Sequence, residues 1–143
     1  MKFDNQITLV VDAKTKNESF VRTAIAAFCI EINPTLSEIN DVKTAVSEAF
    51  TNSIVHGYEG KTDGKVTIAA GIAGNEVYIT IIDTGKGIEN IDEAKKPFFT
   101  SKPEQERSGM GFTVMETFMD TLVVKPNEKG GLVVQMKKKF GGQ

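Results

Sequence analysis

Val77-Tyr78-Ile79-Thr80-Ile81-Ile82-Asp83-Thr84-Gly85-Lys86-Gly87 passes from strand-forming residues into a carboxylate and two glycines. The β-branched and aromatic residues at 77–82 predict a strand. A carboxylate at its end, followed by glycines, exposes bare backbone against which a flat ligand ring can lie. Asp83 can then accept a hydrogen bond from an exocyclic amine such as that of adenine. The same residue types also make ordinary strand-ending turns. No second strand returns promptly after Gly87, as a plain hairpin would require.

Working outward, residues 66–72 form a second strand-like run, joined to the first by a short turn at Gly74-Asn75. Residues 6–11 are apolar and β-branched and predict the first strand of the chain. Between them the period becomes helical. Phe20, Val21, Ala24, Ile25, Phe28, Cys29 and Ile32 make one stripe, closed by Pro34. Thr35 and Glu38 stand in capping-box relation, and Leu36, Ile39, Val42, Val46 and Ala49 predict the buried stripe of a second helix that stops near Gly57.

Downstream of Asp83 the periodicity fails as far as Gly111, a stretch holding Pro97 and Pro103 with glycines at both ends. A loop of that length inside a small domain generally serves function. Phe112, Met115, Phe118 and Met119 restore a helix, and residues 122–124 and 132–136 predict a closing hairpin around 127–131. The basic run 137–139 reads as a solvated strand end. The order predicts an α/β fold: a two-layer α/β sandwich, a mixed sheet with helices on one face.

Composition narrows the function classes. The chain has 143 residues and a net charge of −2, with 17 basic against 19 acidic side chains. That length suits one domain, and the charge gives no basic coat for nucleic acid. One cysteine and one histidine exclude an internal disulfide and a Cys/His zinc cage. No apolar run approaches the roughly 20 residues of a membrane span. The start, MKFDNQITLV, has no basic segment followed by an apolar run and cleavage site. A cytoplasmic, single-domain protein is expected, spanning 1–143.

Two further clusters carry chemistry. Glu48 and Asn52 are four apart on the second predicted helix and project from one face. Asn52 can place an oxygen on Mg²⁺, and Glu48 can orient or deprotonate a nucleophile. Taken alone, the pair also describes a solvated helix edge. Ser108-Gly109-Met110-Gly111-Phe112 ends the long loop and opens a helix. Free N–H groups there, approached closely past glycine, suit a phosphate, and Lys102 and Arg107 precede it in the loop. Neither the G-x-x-x-x-G-K-[ST] nor the G-x-G-x-x-G phosphate cradle occurs.

In order and separation the three clusters resemble the ATP site of the gyrase, Hsp90, histidine-kinase and MutL superfamily (the Bergerat fold). Its N box matches Glu48-Ala49-Phe50-Thr51-Asn52, its G1 box Asp83 to Gly87, and its G2 box Gly109 to Gly111. Further segments are similar to the anti-sigma F factors of endospore-forming bacteria. They are Asn17-Glu18-Ser19-Phe20, Ser47-Glu48-Ala49, His56-Gly57-Tyr58, Phe99-Thr100-Ser101-Lys102-Pro103-Glu104 and Glu106-Arg107-Ser108-Gly109-Met110-Gly111-Phe112.

The resemblance implies a homodimeric anti-sigma factor. Such a protein holds sporulation sigma factor F inactive and, with ATP and Mg²⁺, phosphorylates a serine of a small anti-anti-sigma protein. By the same resemblance, Glu48 is the catalytic base, Asn52 the Mg²⁺ ligand and Asp83 the adenine contact. Gly85, Gly87, Gly109 and Gly111 line the nucleotide, with Thr100, Lys102, Ser108 and Met110 among the nucleotide-binding positions. Arg107 is the lid arginine near the γ-phosphate, in a mobile lid at about 88–108. Arg22 contacts both protein partners. No nucleic acid or membrane partner is implied.

One departure stands out. After Gly130 the family usually carries a threonine that supports the adenine, whereas Gly131 and Leu132 stand here. A backbone group or water can replace that hydroxyl. The departure leaves open an ATP-gated sequestering module with little kinase activity. The related anti-sigma B type of stress-response switch kinase is a further alternative. His56, the single histidine, reads as structural rather than as a phosphoacceptor.

Overall fold

The computed structural model describes residues 2–58, 63–87 and 111–141. Strand β1 (Asn5–Asp12) leads through a 3₁₀ turn into helix α1 (Glu18–Cys29) and then helix α2 (Leu36–Asn52). Strands β2 (Lys65–Ala73) and β3 (Glu76–Asp83) follow. Helix α3 (Gly111–Phe118) and strands β4 (Thr121–Pro126) and β5 (Leu132–Lys139) complete the order.

The strands form one sheet in the order β1-β2-β3-β5-β4. Every neighbouring pair is antiparallel, so the sandwich is as expected but the sheet is not mixed. The connections explain the difference. Two helices, not one, separate β1 from β2, so the chain comes back pointing the other way. Strands β3 and β4 point alike, but β5 inserts between them and runs against both.

Strand alternation sets the core. Val66, Ile68, Ala70 and Ile72 of β2, and Val77, Ile79 and Ile81 of β3, are buried at every second position. Val21, Ile25 and Cys29 of α1 pack with Val42, Ala45, Val46, Ala49 and Phe50 of α2 in the same cluster. Burial pushes the Cys29 thiol up to about 12. Two expected stripe residues are exposed: Phe20 at 58% and Leu36 at 76%. The buried face of α1 runs strictly at i, i+4 from Val21, which leaves Phe20 a hundred degrees round the helix. Leu36 is the first residue of α2 and precedes its packed part.

Lysines 137–139 are not simply a solvated end. Lys138 donates to the Phe118 carbonyl at 2.9 Å, capping the C-terminus of α3, and lies 3.5 Å from the Asp41 carboxylate of α2. Lys137 lies near Glu76 and the Tyr78 ring, so Lys139 alone is exposed.

The start of α2 is fixed as expected. Thr35 Oγ1 accepts from the Glu38 N–H at 3.1 Å, and Glu38 Oε1 accepts from the Thr35 N–H at 2.8 Å. That second bond is the leading reason the Glu38 carboxyl titrates below its usual range. Thr35→Ala removes one half of the box and is expected to cost about 1 kcal/mol in urea unfolding, with the slope of the transition unchanged.

Candidate functional site

The alternation that buries Val77, Ile79 and Ile81 does not stop at the end of the apolar run. Asp83 is the next residue on that face and is only 2% exposed. On the facing helix, the stripe Val42, Ala45, Val46, Ala49 likewise continues to a polar residue, Ser53, also buried. The two polar residues face each other: the Ser53 hydroxyl donates to the Ala49 carbonyl at 3.3 Å and is among the groups that favour the charged Asp83 carboxylate. Ser53 opens a π-helical turn (Ser53–Gly57) that carries the chain off the end of α2.

Around Asp83 the partners are mostly backbone. Its Oδ1 accepts from the Gly85 N–H at 3.0 Å and from the Leu132 N–H at 3.3 Å. Burial drives the Asp83 carboxyl above its ordinary range, and the Gly85, Ser53 and Leu132 donors pull against that rise. The turn after it is pinned to the π turn: the Lys86 N–H donates to the Gly57 carbonyl at 2.9 Å. A Cβ on Gly85 would fall 2.1 Å from that carbonyl oxygen, so only glycine allows this approach. Tyr58 holds the turn from outside, its hydroxyl accepting from the Thr84 N–H at 2.8 Å and donating to the Lys65 carbonyl at 2.7 Å.

From the other side comes the loop between β4 and β5. Gly131, at φ +90°, lies so close that a Cβ there would sit 2.2 Å from the Asp83 carbonyl oxygen. The Asn127 side-chain amide donates to that same carbonyl at 3.1 Å. At the position where the family's threonine was missed, the backbone N–H of Leu132 therefore reaches the carboxylate directly.

Glu48 and Asn52 are half-buried, one turn apart on α2. A Cβ built on Gly111 would meet Glu48 Oε2 at 3.5 Å, so this carboxylate lies beside the first residue of α3. Glu48 and Ser53 are five residues apart, about 7–8 Å along the helix axis. One helix thus carries a carboxylate beside the start of α3 and, further along, the hydroxyl that meets the buried Asp83. Arg22 on α1 donates to Glu18 at 2.6 Å, and the Ser47 hydroxyl reaches the same Glu18 oxygen.

Of the sequence-derived positions, Glu48, Asn52, Asp83, Gly85, Gly87, Gly111 and Arg22 fall within the described residues. Thr100, Lys102, Arg107, Ser108, Gly109, Met110 and the lid at 88–108 lie outside them. Ser53, Asn127 and the role of Tyr58 were missed. A serine continuing an apolar helical stripe was the available signal for the first. His56 is buried, as a structural histidine should be.

The chain matches the histidine kinase-like ATPase domain family over residues 11–138. It is 55% identical over 138 residues to an anti-sigma F factor of Clostridium botulinum (strain Eklund 17B / Type B), covering 96% of both chains. It is 52% identical over 141 residues to that of Thermoanaerobacter sp. (strain X514), covering 99% of this chain and 98% of the other. The chain belongs to the anti-sigma F factor family. A solved structure of the RsbU and RsbW domains of a Mycobacterium tuberculosis protein shares its fold, at TM-score 0.68 and 20% identity. That match covers 95% of this chain and 32% of the other. Membership of the ATPase domain family implies nucleotide binding, and no described helix is long and apolar enough to cross a membrane.

The raised Asp83 value has a consequence for stability. With the folded value above the unfolded one of about 3.9, burying the charged carboxylate costs stability. The cost is absent at pH below the unfolded value, grows as pH rises from there, and is complete above the folded value. Asp83→Asn keeps an acceptor for Gly85 and Leu132 without the charge. It is expected to unfold at higher urea than the parent at pH 7, with the gap closing towards pH 4.

Proposed function

We propose that the chain is an ATP-dependent protein-serine kinase that also sequesters sporulation sigma factor F. The observation that carries the catalytic half of this reading is the placement of the Glu48 carboxylate beside the opening of α3. A helix N-terminus favours phosphate oxygens, and a carboxylate beside it can take the proton of an attacking hydroxyl. Asp83, held in its backbone cradle, suits the exocyclic amine of adenine at the other end of the site.

In this reading the serine of an anti-anti-sigma protein loses its proton to Glu48. Its oxygen attacks the γ-phosphorus of ATP and ADP departs. Such a transfer depends on positioning and charge neutralisation more than on covalent chemistry from the protein. The donor set suits Mg²⁺ held largely by the nucleotide. Among the described residues no three His, Cys, Asp or Glu side chains converge to cage a metal, and Asn52 offers a single amide oxygen. When bound, Mg²⁺ supplies neutralisation of phosphate charge.

Sigma factor binding is carried over from the name of the relatives. Arg22, half-exposed and oriented by Glu18, is the proposed contact for acidic groups of both protein partners. A homodimer formed through β1 and α1 fits an edge strand bearing the exposed Val10 beside a helix bearing the exposed Phe20. The alternative of a sequestering module with little kinase activity drew on the missing threonine. The Leu132 N–H on Asp83 supplies a replacement donor and weakens that alternative.

Phosphotransfer decides the reading. Incubated with Mg-ATP and the anti-anti-sigma protein, the chain is expected to yield phosphoserine. Glu48→Gln should lower the single-turnover rate by about a hundredfold or more while leaving nucleotide affinity within about threefold. Full transfer by Glu48→Gln would remove Glu48 from the base role. Absent transfer by the parent, with sigma binding intact, would favour the sequestering module. A pull-down against sigma factors F and B separates the sporulation from the stress-response type.

A further inference from the structure

The β3–β5 ladder ends at Ile82 and Val133, one residue before Asp83. In a regular continuation Leu132 would pair with the Asp83 backbone. Instead the chain turns at Gly130 and Gly131, both at positive φ, and the Leu132 N–H goes to the Asp83 side chain. The Asp83 carbonyl is left facing the loop between β4 and β5, and the Asn127 side-chain amide fills the place of the missing strand donor.

Asn127 is itself fixed. Its N–H donates to the Gly131 carbonyl at 3.0 Å, and its carbonyl accepts from the Gly130 N–H at 2.9 Å. Its side chain therefore projects from a closed five-residue loop onto one carbonyl. The same loop thus holds Asp83 at two points, the main-chain oxygen through Asn127 and the carboxylate through Leu132. The carboxylate is held at Oδ1 by Gly85 and Leu132, and Asn127 fixes the main chain that carries it on the side where the β5 ladder has ended. Held at both points, it presents a single orientation to whatever base lies against it.

We propose that Asn127 is a positioning residue for the nucleotide base, acting through the orientation of Asp83. The proposal rests on reading Asp83 as the contact to the exocyclic amine of adenine. It assigns to the β4–β5 loop a part in base selectivity.

The test compares binding of ATP with that of purine riboside triphosphate, which lacks the exocyclic amine, by calorimetry or nucleotide-induced thermal shift. The parent should prefer ATP. Asn127→Ala should reduce that preference by about threefold or more, within the range one hydrogen bond commands, with binding of the amine-free analogue nearly unchanged. Asn127→Asp, close in shape but presenting an acceptor to the carbonyl, should reduce it as well and serves if the alanine variant does not fold. In an Asp83→Asn background, Asn127→Ala should have no further effect on the ratio, as expected for residues acting through one another. A parent that binds both nucleotides equally overturns the Asp83 reading and the proposal with it. A parent that prefers ATP, with both variants keeping its ratio, overturns the Asn127 role alone. Equal weakening towards both nucleotides does the same, since it marks a purely structural part.

Discussion

The site depends on one unfavourable placement, a carboxylate buried at the end of the core. Period-two alternation makes Asp83 the fourth inward residue of β3, after Val77, Ile79 and Ile81. Burying a charge that deep is tolerable only with several donors at hand. The surroundings supply them: the N–H of Gly85 and the N–H of Leu132 from a distant hairpin, with the Ser53 hydroxyl of α2 close by. Much of the local backbone follows from this need. The π turn brings Gly57 up to the carboxylate, and Gly131 comes close enough to deliver its neighbour's N–H.

Helix α2 links this placement to the rest. Its capping box sets where it begins, and its apolar stripe sets which face turns inward. Those two facts determine that Ser53 meets Asp83 and that Glu48 and Asn52 emerge beside the stripe. Ser47, next to Glu48 in the chain, shares the Glu18 oxygen with Arg22. The surface of α1 and the turn of α2 that carries Glu48 are therefore joined through one carboxylate rather than by apolar packing alone.

The elements were legible wherever period and caps agreed. The strand at 77–82, the turn at Gly74-Asn75 and the Thr35–Glu38 box all have local causes. Asp83, Glu48 and Asn52 were legible as candidates only in combination, since each cluster alone also describes an ordinary turn or helix edge. The antiparallel pairing was not, since strand neighbours depend on which gap a later strand enters. Lys138 was read as solvated because its partners, Phe118 and Asp41, are 20 and 97 positions away. Asn127 had the look of any turn asparagine; its target carbonyl is 44 positions distant. The Gly131-Leu132 departure was visible, but its resolution lay in backbone geometry that no side chain announces.

The reach of the hairpin to Asp83 also orders events in time. The cradle joins residues near 53, 57, 83 and 132, so it closes only after the segment beyond α3 has docked on β3. A nascent chain with β1 to β3 in place would present the buried acid without its last donor, and the sheet without the strand that covers it. Contacts of such wide sequence separation form late and raise the barrier to folding. The complete cradle is then acquired together with the closing of the sheet, and a molecule that has not finished folding lacks it.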